Sequence, residues 1–367
     1  MKYYVIAGEA SGDLHGSRLI REILKRDPQA EFRCWGGDRM QQAGGVVVKH
    51  YKDLAFMGFV EVLLNLRTIL KNIRFCKSDI DSWKPDTVLL VDYPGFNMRI
   101  AKYVHDKGIR VVYYISPQVW AWRQGRIHNI HKRTDLAFVV LPFEKDFHAK
   151  FGYHVEFVGH PLLDTINEFK PDPGFVTKAA LGEKPVIALI PGSRRQEISR
   201  ILPIMLSVIP EFSNYQFVIA GVGSLGESYY QKYIQGLPVK VIIGSTYDLL
   251  HCSKAALVTS GTATLETGLI GTPQVVCYRM SFITALLAWM LVKVEHISLV
   301  NLVLNKAAVK ELIQYRFNRR SVAEELKSIL DDQAKIGRMK ADYLEMKHKL
   351  GDQGASAKAA ELITRNQ

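Results

Sequence analysis

Lys2-Tyr3-Tyr4-Val5-Ile6-Ala7 runs without a polar break into Gly8-Glu9-Ala10-Ser11-Gly12-Asp13-Leu14-His15-Gly16. Aromatic and β-branched residues in one short run suit a strand buried on both faces, as parallel sheets require. The small residues that follow make a loop opening a helix, whose period continues to about residue 25. This βα unit recurs. Apolar runs at 3–7, 87–91, 110–115, 136–140 and 154–158 alternate with helix-period segments, among them 60–80, with an extended piece at 32–35. That alternation predicts a doubly wound α/β domain on a parallel sheet.

At 169–174 the sequence Phe169-Lys170-Pro171-Asp172-Pro173-Gly174 breaks the pattern, since two prolines so close favour a linker over any regular element. A second series of strands then begins at 186–190, 216–220, 239–243, 256–259 and 274–278. The expectation is two Rossmann-like domains, 1–168 and 169–345, with a C-terminal helix at 346–367 packing back on the first. Ligands of such sheets bind outside the carboxyl ends of the strands, so chemistry is sought in the strand-end loops.

A chain of 367 residues with 48% hydrophobic and 23% charged residues can bury two cores and is too apolar to be disordered. Its 48 basic against 36 acidic residues give a formal charge of +12, which points to an anionic partner: nucleic acid, phosphorylated substrate or acidic lipid. Between Asp106 and Asp135 no carboxylate occurs, whereas Lys107, Arg110, Arg123, Arg126, Lys132 and Arg133 form a basic strip beside Trp120 and Trp122. Cys34, Cys76, Cys252 and Cys277 have neither disulfide-framework nor zinc spacing. The N-terminus is a strand, too short an apolar run for a signal peptide. The apolar run at 282–292 is well short of the ~20 residues that span a bilayer. Membrane contact is expected to be peripheral.

Three strand-end loops carry candidate chemistry besides the first. Pro191-Gly192-Ser193-Arg194-Arg195-Gln196-Glu197 joins a kink, a hydroxyl and two guanidiniums at a helix start, a combination suited to diphosphate. Ser260-Gly261-Thr262-Ala263-Thr264-Leu265-Glu266 lets backbone amides approach phosphate, offers hydroxyl donors, and places Glu266 one turn inside the helix, where it could accept both ribose hydroxyls. Asp92-Tyr93-Pro94-Gly95-Phe96-Asn97 puts a carboxylate at the sheet edge, either a general base or a turn-stabilising residue. Gly221-Val222-Gly223-Ser224-Leu225-Gly226 fits the dinucleotide fingerprint but lacks the acidic residue after the next strand. Asp79-Ile80-Asp81 has metal-pair spacing but lies at a helix end, so a solvated surface is the better reading. The segment 57–71 is either a core helix or an apolar surface for acyl chains or the bilayer edge.

Taken in order, Gly8-Glu9-Ala10-Ser11-Gly12-Asp13, Met57-Gly58-Phe59-Val60-Glu61-Val62, Ser116-Pro117-Gln118-Val119-Trp120-Ala121-Trp122-Arg123, Leu141-Pro142-Phe143-Glu144, Pro191-Gly192-Ser193-Arg194, Ser260-Gly261-Thr262-Ala263, Tyr278-Arg279-Met280 and Asn301-Leu302 resemble lipid-A-disaccharide synthase. The resemblance covers nearly the whole chain. It implies the glycosyltransferase B fold, with acceptor and base on the first domain, donor on the second, and no metal or other cofactor. Catalysis would fall to Asp92 and Arg194. The UDP-sugar would meet Ser193, Arg194, Ser260, Gly261, Thr262, Ala263, Thr264, Glu266 and Asn301. The acceptor would meet Glu9, Ser11, Gly12, Asp13, Met57, Glu61, Gln118, Trp120 and Arg123.

The implied reaction moves 2,3-diacylglucosamine from its UDP conjugate to the 6-hydroxyl of 2,3-diacylglucosamine 1-phosphate, with inversion, giving a β-1,6 disaccharide and UDP. The implied setting is cytoplasmic, peripheral at the anionic inner face of the inner membrane, with no nucleic acid partner and a homodimer left open. Gly95 stands where some relatives carry a second Asp, which leaves Asp92 as the candidate base of its loop. Val300 precedes Asn301 where a proline is expected. Rival readings are another UDP-N-acetylglucosamine enzyme of the same fold, a 2-epimerase or a peptidoglycan glycosyltransferase, and a non-catalytic protein binding membrane or nucleic acid through the basic strip.

Overall fold

The computed structural model describes residues 1–54, 66–121, 124–281 and 295–365. The chain forms two compact units, 1–161 with 351–367, and 162–350. In chain order the first contains β1 (Lys2–Ala7), α1 (Ala10–Leu24), β2 (Glu31–Gly36), α2 (Asp38–Gln42), β3 (Val46–His50), α3 (Leu66–Trp83), β4 (Thr87–Val91), α4 (Pro94–His105), β5 (Arg110–Tyr114), α5 (Ile127–His131), β6 (Leu136–Val139), α6 (Pro142–Ala149) and β7 (Glu156–Phe157). The second contains α7 (Leu162–Glu168), α8 (Phe175–Lys178), β8 (Val186–Ile190), α9 (Arg195–Leu206), β9 (Gln216–Gly221), α10 (Ser228–Ile234), β10 (Val239–Ile243), α11 (Thr246–Cys252), β11 (Ser253–Thr259), α12 (Thr262–Ile270), β12 (Gln274–Tyr278), α13 (Leu299–Leu304), β13 (Lys310–Ile313), α14 (Arg319–Asp331) and α15 (Gln333–Lys349). The last helix, α16 (Ala355–Arg365), belongs to the first unit again.

Both sheets are parallel. The first has seven strands in the order β3-β2-β1-β4-β5-β6-β7, and the second six in the order β10-β9-β8-β11-β12-β13. Strand order therefore reverses between β1 and β4 in one unit and between β8 and β11 in the other. The uninterrupted apolar strands explain the layering: β1 and β4 are covered on one face by α1 and α16, through Leu19, Ile20, Ala359 and Ile363, and on the other by α3 and α4, through Ile73, Ile80, Ile100 and Val104. The edge strands β3 and β13 are absent from the sequence-based expectation. Each is short, partly exposed and carries a lysine, as edge strands do to avoid pairing with another chain: the apolar run of β3 stops after three valines, and β13 has only Leu312 and Ile313.

The domain limits differ from the expected ones. The division falls after Pro161, not at 168, because α7 packs on α12 of the second unit. At the other end α15 continues to Lys349, past the expected limit at 345, and the chain crosses back at Gly351. Gly351 has φ +91, and a Cβ there would lie 3.2 Å from the Gly159 Cα, so only glycine fits this turn. From it α16 returns to pack on α1.

Candidate active site

Each unit has its own candidate site at its point of strand reversal, the crevice where ligands of open α/β sheets bind. In the first unit the loops after β1 and β4 meet there. Gly8 lies under the Tyr93 ring, where a Cβ would collide with ring carbons. Gly12 brings α1 close to the strand ends, since its Cβ would come 2.9 Å from the Ala7 Cβ. The Tyr93 hydroxyl is raised above its usual pKa by burial and then by the charge of Glu9, so Glu9 and the β4 loop share one neighbourhood.

Asp92 has φ +45 and Tyr93 φ +50, and beside them Ile115, just past β5, has φ +61. Left-handed conformations cost a β-branched or bulky residue of order 1–3 kcal/mol and gather at functional sites. Here the conformation is clamped: the Asp92 carbonyl accepts from Asn97 Nδ2 and from the Tyr113 hydroxyl, both at 2.7 Å. None of these bonds uses the carboxylate. Burial raises the Asp92 carboxyl above its usual pKa, opposed by the Tyr93 backbone N–H. A half-buried carboxylate of raised basicity on a rigid strand end is suited to accept a proton.

In the second unit the loops after β8 and β11 meet. Gly192 has φ +108 and Gly261 φ +157, and a Cβ on Gly261 would touch nothing within 4 Å, so the backbone there faces open space. No side chain caps α12, which leaves its first amides to a ligand. The two guanidiniums part company. Arg195 lies on the Tyr229 ring at 4.9 Å, while Arg194 is exposed and pairs with Glu197 at 3.4 Å. Glu266 accepts from the Tyr247 hydroxyl at 2.7 Å, and the Phe169 ring packs edge-on against Tyr247 at 5.5 Å. Burial raises the Glu266 carboxyl, and the Tyr247 bond opposes it.

A family model described as lipid-A-disaccharide synthetase matches residues 3–365. The lipid-A-disaccharide synthase of Syntrophus aciditrophicus (strain SB) is 39% identical over 364 residues, 97% of this chain and 95% of that protein. This chain belongs to the lipid-A-disaccharide synthetase family. The glycotransferase of kitacinnamycin matches with a TM-score of 0.67 at 13% identity, over 99% of this chain and 98% of that one. A UDP-GlcNAc 2-epimerase from Neisseria meningitidis, solved bound to UDP-GlcNAc, matches at 0.63 and 13%, over 100% and 99%. These likenesses show the glycosyltransferase B fold, and family membership makes the chain a UDP-sugar glycosyltransferase.

Several residues that the family resemblance assigned to substrate are engaged by the protein itself. Asp13 caps another helix: its Oδ1 accepts from Gly37 N at 2.7 Å and Met40 N at 3.1 Å, and its Oδ2 from Arg39 N at 3.1 Å. Trp120 is buried and donates its indole N–H to Glu144 at 3.1 Å, while Glu144 also accepts from the amides of Val140 and Leu141. Two sequence motifs are thus one structural joint. Burial lifts the Glu144 carboxyl to about 7. Asn301 pins its own loop, with Nδ2 donating to the Val309 carbonyl and Glu311 Oε1 and Oδ1 accepting from Val309 N, all at 2.9 Å. Val300 beside it is fully buried.

Ser260 Oγ donates to the Ile297 carbonyl at 2.7 Å and Thr264 Oγ1 to the Gly261 carbonyl at 2.8 Å. A hydroxyl has one proton, and in this conformation both are given to main-chain carbonyls. Thr262 is exposed, as are Ser11, Gln118 and Ser193. Ala263, beside Thr262, supplies backbone only. Met57, Glu61, Trp122 and Arg123 lie outside the described residues, as does the run at 282–292.

The decoys resolve in the same way. Asp79 accepts from Arg33 at 2.9 and 2.7 Å and from the Tyr4 hydroxyl at 2.7 Å, whereas Asp81 takes Tyr103 and Lys107. Gly221 is a packing residue, since its Cβ would come 2.9 Å from Val241 Cγ1. The basic strip is partly engaged by the protein itself: Lys107 pairs with Asp81 at the surface, Arg110 donates to the Ile363 carbonyl at 2.9 Å, and Arg133 to that of Met98 at 3.5 Å. Glu197, Tyr247 and the Gly8–Tyr93 contact were missed by sequence reasoning. Only Glu197 left a signal there, one helical turn after Arg194.

Proposed function

We propose that this chain transfers 2,3-diacylglucosamine from its UDP conjugate to the 6-hydroxyl of 2,3-diacylglucosamine 1-phosphate, inverting the anomeric carbon and needing no metal. What carries the reading is that the strand reversal of each sheet falls between the two loops holding its candidate residues: Glu9 and Asp92 in one unit, Arg194 and the start of α12 in the other. Asp92 takes the proton from the acceptor hydroxyl as its oxygen bonds to the anomeric carbon. The bond from that carbon to the diphosphate oxygen breaks, and the electron pair leaves with UDP. Arg194 and the amides of α12 stabilise the departing charge.

The deciding assay measures UDP release from acylated donor and acceptor, with the product identified by mass, in the presence and absence of a chelator. A disaccharide phosphate formed equally in both supports the proposal. Turnover of unacylated UDP-N-acetylglucosamine alone, without a disaccharide, would transfer the chain to the 2-epimerase reading. For the ribose, Glu266→Ala is expected to weaken UDP binding by roughly 1.5–3 kcal/mol, about 10- to 100-fold in Kd, through loss of a charged acceptor. Calorimetry on the folded variant checks it, and an unchanged Kd removes Glu266 from the donor pocket.

Peripheral membrane attachment belongs to the same proposal. No helix among the described residues is long and apolar enough to cross a membrane. On α3, Leu70 and Phe75 are 42% and 45% exposed, and Arg67, Lys71 and Arg74 are exposed beside them. Exposed apolar side chains among cations suit an anionic lipid surface. Co-sedimentation with anionic vesicles is expected to fall in high salt and to fall further in Leu70→Ser/Phe75→Ser. Indifference to vesicles of any charge overturns this part.

A further inference from the structure

The loop assigned to the diphosphate carries a carboxylate for which the reaction has no direct use. Glu197 stands in the first turn of α9, three residues after Arg194, the position from which a carboxylate ordinarily reaches back to the amide of the capping residue. Here the capping residue is Arg194 itself, and Glu197 Oε1 lies 3.4 Å from its Nη1. The other carboxylate oxygen sits under the loop: a Cβ added to Gly192 would come 2.7 Å from Glu197 Oε2 and 3.3 Å from Thr259 Cγ2. On the third side is Tyr278, at the end of β12. Its hydroxyl is raised by burial and by the charge of Glu197, and lowered by Arg194, so it lies within electrostatic reach of both.

Glu197 is therefore packed among the ends of β8, β11 and β12, while its partner guanidinium is 60% exposed. Exposed pairs of this kind add little to stability. A negative charge next to an anion site weakens binding of that anion, so its presence there has to be sought in the transition state.

We propose that Glu197 is a positioning residue: it holds the Arg194 guanidinium over the carboxyl edge of the second sheet before the donor arrives, and lowers ground-state affinity for the diphosphate in doing so. The proposal rests on the reading that Arg194 faces the departing diphosphate. An arginine held in place gives its stabilisation as charge grows on the leaving group, without reorganising first. Without the carboxylate, Arg194 would bind the ground state more tightly and the transition state less selectively, and tighter ground-state binding alone does not raise turnover.

The test is Glu197→Gln, which keeps shape and hydrogen bonding but removes the charge, measured by UDP calorimetry and steady-state kinetics on acylated substrates. UDP should bind several-fold more tightly, about 3- to 10-fold, while kcat falls about 10-fold or more. A role confined to holding α9 would lower the melting temperature without this opposed movement of affinity and turnover. In an Arg194→Ala background, Glu197→Gln should lower kcat no further. Unchanged kcat, affinity and kcat falling together, or full additivity with Arg194→Ala each overturn the proposal. Should Glu197→Gln fail to fold, Glu197→Ala, which removes the carboxylate altogether, must show the same split. Wild-type protein that does not bind UDP at all would instead sink the donor-site reading.

Discussion

Asp92→Asn is expected to lower turnover by ~10²–10⁴-fold while leaving UDP affinity nearly unchanged. The substitution keeps the side chain's size, and the clamps from Asn97 and Tyr113 act on the main-chain carbonyl, so the left-handed strand end should persist. The proposed reading assigns UDP to the other unit. The pH profile supplies a second readout. Burial raises the Asp92 carboxyl in the folded protein, and only the deprotonated form accepts a proton. Activity should therefore be full above that raised pKa and be lost as pH falls through it, with an acid limb displaced upward from that of an ordinary aspartate. In Asp92→Asn that limb should disappear from the residual rate. Near-normal turnover of the variant on acylated substrates would transfer the role to another group, with Glu9 the nearest candidate in the adjoining loop. Asp13 is engaged elsewhere, since its two oxygens cap α2.

Arg194→Ala should cost about 10²–10³-fold in kcat/KM, the usual loss for one donor aimed at developing charge. Arg195→Ala is the informative control. Adjacent in sequence and identical in chemistry, Arg195 stacks on Tyr229, and the Tyr229 hydroxyl donates to its carbonyl at 3.1 Å. Its loss should lower melting temperature more than rate. Steady-state kinetics and thermal unfolding of the two variants side by side decide the matter. Equal losses of rate would mean that the diphosphate does not distinguish the two arginines, and the assignment of Arg194 would fall. Arg194→Lys should recover only part of the rate, since an ammonium lacks the forked donors that match a phosphate.

Much of this protein was legible from residue order, because its strands are short apolar runs with one pattern and its loops open helices with small residues. Tyr3 to Ala7, Thr87 to Val91 and Val186 to Ile190 predict buried parallel strands, and the loops after them mark where a ligand binds. Local chemistry decides such features, and local chemistry is written in neighbouring residues. The edge strands β3 and β13 escaped because half-exposed strands need only a very short apolar run, and the unit boundary was misplaced because α7 is held by packing on α12, not by any local signal. The roles of individual polar side chains were hidden altogether. Asp13, Trp120, Ser260, Thr264 and Asn301 stand in motifs that suggest substrate contact, yet each has a hydrogen-bond partner supplied by the fold. A side chain's donors and acceptors are the same in any sequence context. Which of them remain for a substrate depends on what the folded chain brings within about 3 Å, and that is set by tertiary structure alone.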